Sequence, residues 1–362
     1  MTIREVARAA AVSVATVSRV LNESGPVRDE TSRRIRDVVE RLRYSPHGAA
    51  RSLITRRTST LGVLLPDLYG EFFSELIRGI DSCAREGGYH VLVSGSHSDR
   101  AEIEAVLRAT RGRVDGLIVM SPDLDARALN PHDGLPIVLL NGNGRRFDSI
   151  HVDNYGGALA MVRHLIGLGH RRIAHLSGPA GNRDAAERLR GYRDAMRTVS
   201  RHLAKDLVID GDFREEAGYR AGPQLLDRKD PPTAVFAAND SMAIGLLAAF
   251  QESGVRVPGD VAVTGFDDIP IARFTTPALS TVRVPIAELG SKATRRLLQR
   301  LSSSNGHAVR HETLATTLVV RDSSGGRIRE GVPADTDPTR PPATPHSHRS
   351  DFQRNNDSRS ER

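Results

Sequence analysis

Two sets of side chains in this 362-residue sequence have types and spacing suited to recognition chemistry. The first lies between residues 13 and 22. Ser13 and Thr16 carry hydroxyls one helical turn apart, which can bond phosphate oxygens and fix a register along a duplex. Val14 and Ala15 cannot hydrogen-bond a base, but at a helix start they can touch thymine methyl groups. Arg19 follows about a turn further on and can bridge guanine O6 and N7. The second set stands at the ends of apolar runs. Asn141 ends PIVLLN, Asn239 and Asp240 end TAVFAAND, and Asp267 ends VAVTGFD. Arg188 lies in a helical stretch after the turn GPAGN (178–182). An arginine with Asp and Asn partners can grip vicinal hydroxyls by paired hydrogen bonds. Phe72 and Phe73 offer stacking faces. Each of these polar residues can equally be an ordinary loop or cap residue, and Asp240 reads as an N-cap of a helix over 241–253.

The elements that must position the first set are three short helices in residues 1–45. Thr2 is a good N-cap, and Glu5 three residues on completes a capping box. Ile3, Val6, Ala7 and Ala10 then fall on one face. Ser13 is a second N-cap, followed by Val17, Val20 and Leu21 on one face. Asp29 or Ser32 starts a third helix, with Ile35, Val38, Val39 and Leu42 spaced i, i+3, i+4, i+7. Two short helices joined at Ala11-Val12 have a helix-turn-helix layout, although a plain helical bundle shares that spacing. Charge separates the two readings. Net charge is +7 at pH 7, and residues 1–57 hold 12 Arg against 6 acidic residues. The remainder is near neutral, so only the first segment is built to meet a polyanion. With 3 Lys in the chain, an Arg-rich composition explains Arg over Lys, but not this clustering.

The elements that must position the second set alternate between apolar runs and amphipathic helices. LGVLLP (61–66), helix 72–86, HVLVSG (90–95), helix 99–110, DGLIVMS (115–121) and PIVLLN (136–141) lead to SIHVDN (149–154). Helix 155–168, RRIAHLSG (171–178), helix 184–199, DLVIDG (206–211), helix 214–227, TAVFAAND (233–240), helix 241–253 and DVAVTGFDD (260–268) repeat the pattern. Runs that are apolar throughout suit parallel strands buried on both faces. The fold class is therefore an N-terminal all-α helix-turn-helix domain followed by an α/β body of two doubly wound lobes. TVRVP (281–285), helix 286–302 and a strand over TLATTLVVR (313–321) close the body. Residues 324–362 are rich in Gly, Pro, Ser, Asp and Arg and read as a disordered tail.

Several chemistries are missing from the sequence. There is no P-loop, no G-x-G-x-x-G and no G-x-S-x-G elbow. The 13 His show no metal spacing. Cys83 lies in an amphipathic helix and reads as packing. Asp267 and Asp268 invite an enzyme reading, but such a pair is more often a ligand clamp plus a surface group. No catalytic residue, metal site or cofactor is expected. No apolar run approaches the ~20 residues that span a bilayer, so no membrane partner is expected. The first residues lack the apolar core of a signal peptide, and a single cysteine gives no disulfide framework, which points to the cytoplasm.

Beyond spacing, TIREVARAAAVSVATVSRVLNESGPVRDET resembles the start of a lactose-repressor-family (LacI/GalR) regulator. YSPHGAARSL (44–53) resembles that family's hinge helix. The similarity runs on through VDN (152–154), LIGLGHRRIAHLSGP (165–179), AVFAANDSMAIG (234–245) and VAVTGFDDIP (261–270) to about 318–323.

The resemblance implies a helix-turn-helix over 1–45, a hinge and linker over 46–58 and a periplasmic-binding-protein-like effector and dimerisation body over 59–323. It implies DNA contacts from Thr2, Ser13, Val14, Ala15, Thr16, Ser18, Arg19 and Asn22. In the hinge it implies contacts from Ala50 and Arg51, and from Leu53 as a minor-groove wedge that kinks the duplex; on its own Leu53 could be a buried linker residue. Arg188, Asn239 and Asp267 match effector-contacting positions, joined by Phe72 and Phe73. Asn141 stands where sugar-responsive members often have Asp. LYGEFF (68–73) departs from the common Asn-Pro-Phe-Phe run, with Glu71 for Pro and Gly70 for Asn. Ala11 stands where members usually have Gly or Asn, and Gly48 replaces a better helix former in the hinge. The implied function is a homodimeric repressor on a palindromic operator in double-stranded DNA, controlled by a small-molecule effector. A sugar or sugar derivative fits the Arg/Asp/Asn set, with a purine or other small metabolite as the alternative. A pure binding protein, or an α/β enzyme with a helical appendage, are the competing classes, and binding to a palindrome separates them from a repressor.

Overall fold

The computed structural model describes residues 2–22, 25–44, 57–96, 100–120, 134–142, 144, 146–200, 206–303 and 308–325. The hinge positions Gly48, Ala50, Arg51 and Leu53 and the tail beyond 325 lie outside the described residues.

The first three helices are α1 (Ile3–Ala9), α2 (Val14–Asn22) and α3 (Asp29–Arg41). Their shared core is Val6, Ala7, Ala10, Val17, Val20, Ile35 and Val38, with Ile3, Val12, Leu21, Val39 and Leu42 partly buried against it. These are the faces expected from the spacing. Asp29 is the first helical residue of α3 rather than its cap, where its charge complements the helix dipole.

The first lobe of the body begins with β1 (Thr60–Leu65), α4 (Glu71–Glu86), β2 (His90–Gly95), α5 (Arg100–Thr110), β3 (Gly116–Met120), β4 (Ile137–Leu140) and β5 (Asp148–Val152). The chain then enters the second lobe with α6 (Asn154–Gly167), β6 (Ile173–Leu176), α7 (Arg183–Met196), β7 (Val208–Ile209), α8 (Glu215–Leu226), β8 (Ala234–Ala237), α9 (Asp240–Glu252), β9 (Ala262–Thr264), a 3₁₀ turn (Pro270–Arg273) and β10 (Thr281–Arg283). It returns to the first lobe as α10 (Ile286–Ser302) and β11 (His311–Leu314), and finishes in the second as β12 (Thr317–Val319) and a 3₁₀ turn at Asp322–Ser324.

The first sheet is parallel in the order β11-β5-β4-β3-β1-β2, and the second is parallel in the order β7-β6-β8-β9. Both are doubly wound. Every residue of β3, β4, β6 and β8 is buried, the environment that their apolar runs anticipate, with His175 of β6 the one polar residue among them. The edge strand β2 alternates instead, with His90 and Leu92 exposed.

The expected single strand over 313–321 is corrected. β11 pairs parallel with β5 in the first lobe, whereas β12 pairs antiparallel with β10 beside the second. Leu314 is buried in the strand beside β5 while Leu318 pairs with Val282 of β10, so a run of uniform β propensity is split between two sheets. With Val152–Asn154 and Arg283–Ile286, this makes three passages of the chain between the lobes.

α10 packs on α4 and on β3, β4 and β5, so the first lobe is completed late in the chain. The contact is tight: a Cβ on Gly79 of α4 would sit 2.0 Å from the Ala287 carbonyl oxygen. The expected boundary at 323–324 falls inside the closing turn. Ser323 and Ser324 are buried, and Ser323 Oγ donates to the Val263 carbonyl at 2.6 Å. Among the described residues no helix is long and apolar enough to cross a membrane.

Candidate functional site

The candidate DNA-facing surface of the helical head is built around α2. The Glu5 carboxylate accepts the Thr2 N–H at 2.7 Å, the expected capping bond. Ser13 Oγ accepts the Thr16 N–H at 3.1 Å and lies 2.9 Å from Thr16 Oγ1, so Ser13 caps α2. Ser13, Val14, Ala15 and Arg19 are exposed, while Thr16, Ser18 and Asn22 are half-buried. The Asn22 amide donates to Ser18 Oγ at 3.2 Å. The α1–α2 turn is a Schellman close: Val12 N–H donates to Ala7 O at 3.0 Å and Ala11 N–H to Arg8 O at 3.2 Å. It places Ala11 at φ +50°, the left-handed conformation that its position in the turn demands.

In the body, loops at the carboxyl ends of both sheets enclose a cleft of about 350 Å³. Doubly wound sheets place ligands there, where the strand order reverses. Pro66, Asp67 and Tyr69 come from the end of β1, Met120 from β3, Pro179 and Asn182 from after β6, and Asn239 from after β8. Of the expected effector set, Phe72, Phe73, Arg188, Asn239 and Asp267 line this cleft.

Arg188 is its buried centre. Nε donates to Asn154 Oδ1 at 2.8 Å, Nη1 to the Ala238 carbonyl at 2.5 Å and Nη2 to Asp267 Oδ1 at 3.1 Å. Its guanidinium lies 3.8 Å from the Phe266 ring centroid and 5.7 Å from that of Phe213. Asp267 is held from behind: its N–H donates to Val282 O and its carbonyl accepts the Val284 N–H. Burial pushes its carboxyl up to about 6 against the pull of Arg188, with Asp184 raising it further. Asn141, Phe213 and Asp267 all have positive φ, at +53°, +70° and +117°. Strain of this kind costs about 1–3 kcal/mol per residue and gathers at functional sites.

Asn141 does not line the cleft. It is buried, donating to Asp184 Oδ2 at 2.8 Å and accepting the Val152 N–H at 3.1 Å. Asn239 is the N-cap of α9, accepting Met242 N–H at 3.0 Å, and its amide donates to Phe213 O at 2.9 Å. The cap expected of Asp240 therefore belongs to Asn239. Asp240 lies one residue inside α9, fully buried, accepting from Thr281 Oγ1 at 2.5 Å and Ile269 N–H at 3.0 Å. Burial, with Asp267 next, raises its carboxyl well above the usual range.

Asp184 is the buried acid of the cleft that sequence reasoning missed, as it missed Tyr69, Phe213 and Arg214 on the walls. It sits in the first turn of α7 and reads as a dipole-complementing acid. Its carboxylate takes one amide on each oxygen, from Asn141 at 2.8 Å and Asn154 at 3.0 Å. Burial raises its pKa, opposed by Arg188. At the rim, three contacts join the lobes. Asp67 pairs with Arg214 at 2.7 Å, Tyr69 Oη donates to Glu215 at 3.4 Å, and Glu71 accepts the Ile271 N–H at 2.9 Å. Among the described residues no group of His, Cys, Asp and Glu is placed to hold a metal ion.

Comparison with known proteins accounts for both halves. Residues 2–47 match the family described as bacterial regulatory proteins, lacI family, and 162–324 match a periplasmic binding protein-like domain. The HTH-type transcriptional repressor PurR of Erwinia tasmaniensis is 35% identical over 336 residues, covering 91% of this chain and 98% of the relative. The lac repressor dimer bound to operator and the anti-inducer ONPF superposes with a TM-score of 0.78 at 30% identity, covering 90% of this chain and 99% of that one. The CelR–cellobiose complex gives 0.68 at 31% identity, with 89% and 99% covered. A basic helix-turn-helix joined to a two-lobed ligand-binding body, at this identity over nearly the whole length, places the chain in the lacI family of bacterial regulatory proteins as a transcriptional repressor.

Proposed function

We propose that this repressor is a cytoplasmic homodimer that reads a palindromic operator and whose DNA affinity is set by a small molecule in the cleft. The observation that carries the DNA half is the exposed Ser13–Arg19 face of α2 on the Arg-rich head, where two apolar residues lead and one arginine follows. Base contacts come from Val14, Ala15 and Arg19, and phosphate contacts from Thr2, Ser13, Thr16, Ser18 and Asn22. With few base hydrogen bonds available, half-site spacing and a deformable central step read by Ala50, Arg51 and Leu53 supply the remaining specificity. Residues 1–45, 46–58 and 59–323 serve as reader, hinge and effector body.

The effector half rests on Arg188 and Asp267 at the centre of the cleft, with Asn239, Phe72 and Phe73 on its walls and Asn141 behind it. A sugar or sugar derivative fits a clamp of carboxylate, guanidinium and amide groups. Aromatic walls from Phe73 and Phe213 favour a second reading, a purine base held by stacking. A thermal-shift screen of sugars against nucleobases decides between them, because a specific ligand raises stability by mass action.

A mobility-shift assay tests the regulator itself. Binding to a palindrome should exceed binding to scrambled DNA, weaken with salt and fail in Arg19→Ala. Equal affinity for both DNAs removes the reading. Coupling is reciprocal, so operator must change effector affinity by the factor by which effector changes operator affinity.

A further inference from the structure

The cleft is surrounded by the kind of element that attracts anions, yet its charges are arranged against them. Four helix N-termini open onto it, those of α4, α7, α8 and α9, through Gly70, Asn182, Arg214 and Asn239. A helix N-terminus is an anion seat because its first N–H groups and its dipole point at the ligand. Each of these four carries its own carboxylate in the first turn: Glu71, Asp184, Glu215 and Asp240 respectively. At α4, α7 and α8 the positive end is thus met by a carboxylate from within the chain, while at α9 the Asp240 carboxyl is engaged by Thr281 and Ile269 and Asn239 supplies the cap.

The side-chain cations are committed as well. Two guanidiniums line the cleft, and each is paired with a carboxylate: Arg188 with Asp267 at 3.1 Å and Arg214 with Asp67 at 2.7 Å. Asp184 is bonded by amides, with Arg188 and Arg183 acting on it only at longer range, so the buried part of the cleft lining holds two carboxylates against one guanidinium. A phosphate entering here would meet Asp184 and Asp267 in a water-poor space. Ligand hydroxyls or amines would instead donate to those same oxygens.

Resting on the cleft being the effector site, we propose that it accepts a hydroxyl-rich ligand without negative charge and rejects the phosphorylated form of that compound. The signal is therefore a compound in its unphosphorylated state. Hydrolysis of a glycoside or nucleoside, or uptake without phosphoryl transfer, would supply it, and a phosphoryl-transfer step would remove it from the sensor's view.

The test is a thermal-shift titration of the full chain with matched pairs: pentoses and hexoses against their phosphates, nucleosides against nucleotides, and inorganic phosphate alone. An unphosphorylated member should bind, with its phosphorylated partner at least about a hundredfold weaker, since like charges brought together at a buried site are strongly unfavourable. A phosphorylated member binding as tightly as its partner overturns the proposal, as does a panel in which no unphosphorylated member binds. Glu71→Gln keeps an acceptor for the Ile271 N–H and removes one charge, so it should narrow the gap. An unchanged gap overturns the electrostatic basis. A phosphorylated compound that binds and also changes operator affinity leaves the regulator standing and removes only this inference.

Discussion

Asn141 of the first lobe donates its amide to the Asp184 carboxylate of the second at 2.8 Å, and its own oxygen accepts the Val152 N–H at the first crossing of the chain. One buried side chain thus ties a cleft acid to a passage between the lobes. Asn141→Asp would replace the donor with a second carboxylate. Unfolding free energy at pH 7 should fall by roughly 1–3 kcal/mol, and the deficit should shrink as pH drops and one carboxyl becomes a donor. Urea denaturation at neutral and acid pH measures both. A variant as stable as the parent at pH 7 contradicts the geometry.

Effector affinity should depend on pH through Asp267. Its carboxyl titrates at about 6, raised by burial and by Asp184 and lowered by Arg188. A ligand that donates hydrogen bonds to it favours the ionised form and releases a proton on binding. Affinity should therefore rise with pH up to about 6, by at most about tenfold per pH unit, and level off above. Calorimetric titration from pH 5 to 8 checks this. Flat affinity across that range would mean that the ligand does not use Asp267.

His175 should give an acid-sensitive second lobe. Its ring is fully buried, stacked with Tyr192 at 4.9 Å and Phe236 at 5.0 Å, with Nδ1 donating to Phe236 O at 2.9 Å. Burial first, then Arg193 and Arg188, hold it down at about 4 from 6.5. The unfolded ring charges first, so stability is fully present above pH 6.5 and is lost as pH falls to about 4, by about 3 kcal/mol. The raised carboxyls of Asp184, Asp240 and Asp267 act in the opposite direction, so the comparison must be with a variant. The stability of His175→Phe relative to the parent should increase from pH 7 to pH 4. A constant difference across that window refutes the assignment.

Ala11→Gly should stabilise the helical head. Ala11 sits at φ +50° in the Schellman turn, where a Cβ costs about 1 kcal/mol and glycine relieves it. Ala11→Val should do the reverse. Thermal melting of the full chain, followed by a signal from the head, reads both. A lower melting temperature for Ala11→Gly would show that the turn gains more from alanine in the unfolded state than it loses here.

The head and most strands were legible because burial imposes periodicity. Val6, Val17 and Ile35 face one core, and IVLL at 137–140 is buried on both faces. The split at 315–316 was not legible, because Thr and Val have the same strand preference on either side of a passage between lobes. Asp184 was hidden for another reason. An acid in a first helical turn has a sufficient local explanation, and only tertiary structure brings Asn141 and Asn154 to its two oxygens. The same limit gave the cap of α9 to Asp240 and not to Asn239, neighbours that both suit it. The rim contacts of Asp67, Tyr69 and Glu71 join residues about 150 to 200 positions apart, a separation that propensity and periodicity do not register.

The three passages between the lobes also set an order of events on the ribosome. The head is complete once Leu42 and Tyr44 have emerged, and it can fold while the rest of the chain is still being made. Neither lobe has that freedom. The first sheet lacks its β11 edge until Leu314 is translated, and the second lobe lacks β12 and the Ser323 bond to Val263 until a few codons later. Both effector lobes therefore finish together at the close of synthesis. A message cut short anywhere across the body would release a helical head that has all of its own core, joined to two lobes that lack theirs.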